Sequence, residues 1–146
     1  MTPDQAAREI ALLGARVRHA ASEAVQETAE AAYEEAQRLS SGMWTRKDQR
    51  RAGHPYARRR GRVKSPFDPV VISFQSGRFL AAWELRGALP DGDGYSATVR
   101  NDDPKATMLH KGTRFMLGRP LPETVEAEME PVLARNVERR LKDVLK

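Results

Sequence analysis

The feature that most constrains this chain is a proline-free run of helical periodicity at its N-terminus. Thr2-Pro3-Asp4-Gln5 has the residues of a helix start: Thr2 as cap, Pro3 in the first helical position and Gln5 at the capping-box spacing. From there to about Leu39, Ile10, Leu13, Val17, Ala20 and Ala21, Ala24, Thr28 and Ala31 recur at threes and fours, which predicts one long amphipathic helix. At about 1.5 Å per residue such a helix reaches about 55 Å, whereas a compact chain of 146 residues has a diameter of roughly 38 Å. The helix is expected to overhang its own domain. Its apolar face is mostly alanine, which permits close helix approach but buries little area per residue, so a long flat neighbour such as another subunit is the fitting cover. The opposing expectation is that Gly14 shortens or kinks the helix.

The length fits a single domain, here residues 1–146. With 40% hydrophobic and 31% charged residues, the chain can build a core but not a large one. It has no cysteine, which excludes disulfides, thiolate zinc sites, iron–sulfur clusters and thiol catalysis. Asp4, Arg8 and Glu9 interrupt any signal-peptide stretch, and no segment approaches the roughly 18 apolar residues of a membrane span. A soluble chain made in the cytoplasm, with no membrane partner, is expected.

The net charge of +5 is unevenly spread. Arg46, Lys47, Arg50, Arg51, Arg58, Arg59, Arg60, Arg62 and Lys64 are opposed between 46 and 64 only by Asp48, giving that segment +8 and leaving −3 elsewhere. Guanidinium groups fork onto phosphates, and the glycine in Arg58-Arg59-Arg60-Gly61-Arg62 lets a chain follow a groove, so double-stranded DNA bound without sequence preference is one reading. Docking on an acidic protein and plain solvation are the others. The segment falls in a basic loop insertion at about 42–69, which carries neither helical nor strand period and is too long for an ordinary connection.

Beyond the loop, Val70-Val71-Ile72-Ser73-Phe74 is a short β-rich run, broken by Gln75-Ser76-Gly77. Phe79 to Leu85 suits a short helix and then a strand. Leu89-Pro90-Asp91-Gly92-Asp93-Gly94 is a hairpin turn, with Tyr95–Val99 as the returning strand. Asn101-Asp102-Asp103-Pro104 caps a brief helix through Leu109, ended by Gly112-Thr113. A last helix runs from about Pro122 to Val144, with Val125, Met129, Val132, Leu133, Val137, Leu141 and Val144 as its stripe and a kink expected at Pro131. The fold class is α+β: a long N-terminal helix, a small antiparallel β-sheet with a short helix, and a C-terminal helix.

Nothing in the pattern argues for an enzyme, a metal or a cofactor. His19, His54 and His110 fall in different elements with no ligand spacing. Asp91-Gly92-Asp93-Gly94 lacks the distal glutamate of a calcium loop. Glu123, Glu126, Glu128 and Glu130 read as a solvated face at a helix start, where the dipole favours them.

Three segments in order resemble a known family. Gln75-Ser76-Gly77-Arg78-Phe79-Leu80-Ala81-Ala82-Trp83, then Ala106-Thr107-Met108-Leu109-His110-Lys111-Gly112-Thr113, then Gly118-Arg119-Pro120-Leu121 look like successive motifs of the neck and tail-completion proteins of long-tailed bacteriophages, also described as minor tail Z-like or head–tail joining proteins. The motif positions are Ser76, Gly77, Leu80, Trp83, His110, Gly112, Thr113, Arg119 and Pro120. The resemblance implies a virion structural protein, made in the host cytoplasm and found at the neck or tail. It implies a ring of copies, a hexamer, that joins tail to head, surrounds the DNA passage and contacts adaptor or stopper and tail-tube proteins. Two alternatives stand beside it: a virion-morphogenesis protein of contractile-tailed phages, to which His110 and Arg119 equally point, and a free non-specific nucleic-acid-binding protein. The residues themselves also fit structural roles within the monomer: Gly77 turning the backbone to aim Phe79 and Trp83 inward, Gly112-Thr113 ending a helix, and Arg119 pairing with a carboxylate.

Overall fold

The first helix, α1 (Pro3–Leu39), is continuous over 37 residues and passes through Gly14 without a break. The structure, a computed structural model, describes residues 2–42, 71–72, 77–113 and 116–146. The predicted capping box closes the start of α1: the Thr2 backbone N–H donates to Gln5 Oε1 at 2.8 Å, and the Gln5 N–H donates to Thr2 Oγ1 at 3.3 Å. Ser40 and Ser41 end the helix, their backbone N–H groups bonding carbonyls of its last turn. There follow α2 (Arg78–Ala81), β1 (Trp83–Asp91), β2 (Gly94–Asn101), α3 (Ala106–Lys111), β3 (Gly112–Thr113), β4 (Met116–Leu117) and α4 (Leu121–Val144).

This is the expected mixed α+β class, and it is mostly helical. β1 and β2 form the predicted hairpin, turning at Gly92-Asp93 with Gly92 at φ 57°, a value that suits glycine. A second antiparallel pair joins β3 to β4, with Gly112 opposite Leu117 and Thr113 opposite Met116. α4 runs through Pro131, which cannot donate to the helical ladder at that point.

The chain divides into two compact units. The first takes Met1–Ala31, Leu85–Thr98 and Glu128–Lys146. Within it α1 and α4 lie antiparallel: Asn136 Nδ2 donates to Thr28 Oγ1 at 3.0 Å, and Arg140 reaches Glu23 at 3.0 Å as well as Glu27. Ala20, Ala24, Thr28 and Ala29 are buried, and their small size allows the close approach. The β1 strand is tied to α1 by Gln26, whose Oε1 accepts the Ala88 N–H at 2.8 Å. A Cβ added to Gly87 would stand 2.7 Å from that same oxygen, so a side chain there would displace the Gln26 amide from its bond to the strand.

The second unit takes Ala32–Glu84 and Val99–Ala127. Its buried apolar residues are Ala36, Leu39, Ile72, Trp83, Ala106, Leu109, Leu121 and Val125. Val71 and Ile72 are the described part of the β-rich run, and Ile72 exchanges backbone hydrogen bonds with Leu39 and Gly42. The rest of that run lies outside the described residues.

Candidate functional site

The family-like motif residues come together in the second unit, and they do so as a packing cluster. Gly77 has φ 74° and begins α2, a left-handed turn that only glycine makes without strain. It carries Phe79 and Trp83 into the cluster, as the sequence predicts, although Leu80 stays half-exposed. Trp83 is buried, and its indole N–H donates to Ser40 Oγ at 2.8 Å. Phe79, Trp83 and His110 form a triangle of rings with centroids 6.1, 6.2 and 6.4 Å apart, two of the contacts edge-on. Gly112 ends α3 at φ 79° and ψ −177°, a positive-φ conformation essentially reserved to glycine. Thr113 pairs in β3, and Pro120 accepts the Thr124 N–H and hydroxyl through its carbonyl.

Arg119 is buried, and its guanidinium donates to the Val71 carbonyl at 3.2 Å while its backbone N–H bonds Leu109. Beside it Gly118 has no room for a side chain, since an added Cβ would lie 2.6 Å from the His110 carbonyl oxygen. The His110 Nε2 is buried with no hydrogen-bond partner among the described residues. Burial holds its imidazole below the ordinary value, against a smaller upward pull from the Glu123 carboxylate. Among the described residues the imidazole packs against the Phe79 and Trp83 rings. Among the described residues no group of three or more His, Cys, Asp or Glu gathers to hold a metal ion, and no helix is long and apolar enough to cross a membrane.

The nine cations from Arg46 to Lys64, together with Ser76 and His54, lie outside the described residues. Glu123, Glu126, Glu128 and Glu130 are exposed on α4, in keeping with a solvated face. The sequence did not point to Ser40 as the acceptor for Trp83, nor to Gln26 as the anchor of β1, since both pair with residues far along the chain. Gly87 inside a strand was the one available sign of a close approach.

The surface that stands out belongs to α1 in the first unit. Its apolar stripe is buried at Ala20 and Ala24, and alongside it Glu23, Glu27 and Thr28 bond Arg140, Arg139 and Asn136 of α4. The stripe does not end there. Val17 is half-buried, Leu13 is 42% exposed and Ile10 is 72% exposed. From Pro3 to Val17 the helix forms an arm of about 22 Å at 1.5 Å per residue, keeping the periodicity of a core helix while Ile10 and Leu13 stay exposed. Scattered exposed residues such as Leu89 or Met108 are ordinary; Ile10 and Leu13 differ in keeping the helical spacing of the buried Ala20 and Ala24. The chain matches no family model, no curated protein and no solved structure.

Proposed function

We propose that this chain is a non-enzymatic structural subunit whose α1 arm packs against further copies, in a ring at the head–tail neck or upper tail of a long-tailed phage or phage-derived particle. The observation that carries the reading is the stripe Ile10-Leu13-Val17, which continues the helical spacing of the buried Ala20-Ala24 face and is exposed at Ile10 and Leu13. The resemblance of the three motif segments supports the neck assignment, and their clustering around Trp83 and Arg119 accords with a fold-defining role. In a ring each subunit offers its arm to the next, a heterologous contact that closes on rotation. A hexamer is the proposed count, with adaptor or stopper and tail-tube proteins as neighbours. The +8 segment then gives a collar of positive charge toward the DNA passage or toward an acidic ring beside it.

Purified particles test this reading: the protein should be found at the head–tail junction, and particles made without it should accumulate as separate heads and tails. Normal joined particles lacking the chain would contradict it. The +8 segment favours a second reading, a free non-specific nucleic-acid-binding protein. Under that reading the purified chain binds duplex DNA tightly at low salt, weakens steeply as salt rises, and is absent from particles.

A further inference from the structure

The arm of α1 has a self-complementary pattern, and we infer that before assembly two copies of this chain pair through antiparallel α1 arms. The inference goes beyond the virion reading and stands or falls without it. Ala6, Ile10, Leu13 and Val17 are spaced four, three and four, which is the seam of a two-helix coil. Laid antiparallel on a second copy, Ile10 meets Leu13 and Ala6 meets Val17, each contact occurring twice about a two-fold axis. The same register sets the flanks. On one side Glu9 lies beside Arg16 of the second copy, and Arg16 beside its Glu9. On the other, Ala7 faces Gly14 of the second copy.

Each flank has an observation behind it. Glu9 and Arg16 are both exposed, and neither forms an ion pair among the described residues. Gly14 costs an isolated helix stability relative to alanine, yet its own chain gives it no cause: an added Cβ would meet only the Arg18 side chain at 3.6 Å, ordinary contact. A second helix passing close on that side supplies the cause. Parallel arms place Glu9 and Arg16 against Gly14 and its equivalents, with no charge partner, so the charges select the antiparallel arrangement. Two-fold pairing stops at two copies and keeps the stripe covered until a ring neighbour replaces it.

Sedimentation velocity on the full chain over a range of concentrations tests the pairing, with circular dichroism and tryptophan fluorescence confirming that each variant is folded. Wild type should show a reversible, concentration-dependent dimer. Glu9→Arg and Arg16→Glu should each weaken it about tenfold, because two attractive exposed pairs become two repulsive ones. The doubly exchanged chain, and an equimolar mixture of the two single variants, should recover wild-type affinity. A monomeric wild type, a dimer indifferent to both single changes, or a double variant as weak as the singles would overturn the pairing. Particles that carry a chain found monomeric in solution would sink the pairing and leave the virion reading standing; a charge-dependent dimer absent from particles would do the reverse.

Discussion

Ser40 is where the end of α1 is joined to the rest of its unit. Its hydroxyl donates to the Ala36 carbonyl at 2.7 Å and accepts from the buried Trp83 indole at 2.8 Å. Ser40→Ala leaves the indole N–H buried without a partner, and the expected loss is about 1–3 kcal/mol, measured as a shifted urea midpoint with unchanged slope. His110 gives a pH dependence of definite sign. Burial holds its folded-state pKa below the ordinary 6.5 of histidine, so the unfolded chain binds more protons as pH falls through that region, and stability declines on acidification. The decline starts near the unfolded pKa and levels off below the depressed folded one. His110→Gln should remove that part of the pH profile, followed by thermal denaturation between neutral and mildly acidic buffer; an unchanged profile would mean the imbalance lies elsewhere.

Among the elements, the α1–α4 pair is held by small buried residues and by a charged edge. Glu27 accepts from both Arg139 and Arg140, and Arg140 also reaches Glu23. The hydrogen bond from Arg140, with the positive charges of both arginines, holds the Glu27 carboxyl below its ordinary 4.5 despite partial burial. Its contribution is therefore present above that value and lost as pH falls through the lowered one. Glu27→Gln should cut stability at neutral pH, flatten the profile in that acid range, and matter less in high salt. α1, the β1–β2 hairpin and α4 were legible in the sequence because caps, periodicity and the Asp91–Gly94 turn are local signals. The β3–β4 pair was not, being two residues long on each side, and neither was the Ser40–Trp83 bond across 43 positions, which exists only once the unit is packed. The stripe of α1 could be read from spacing. Which of its residues are buried could not, because that depends on what packs against α1. Gly14, expected as a possible break, interrupts nothing, since the helix on both sides holds it in register.

For the molecule as a whole, the division of labour follows from where apolar surface is and is not satisfied. Of the motif residues, Trp83 and Arg119 are buried in packing, so substituting those two should damage folding before it damages any contact with a partner. The arm has the opposite profile: its residues contribute little to the folded chain, and changing them should leave folding intact while removing association. The most direct test of the central claim, that α1 carries an assembly surface, compares the full chain with an Ile10→Asp/Leu13→Asp variant by sedimentation velocity at rising concentration. Wild-type chains should associate reversibly, and the variant should stay monomeric with the same thermal midpoint and tryptophan fluorescence. A variant that associates as the wild type does would contradict it.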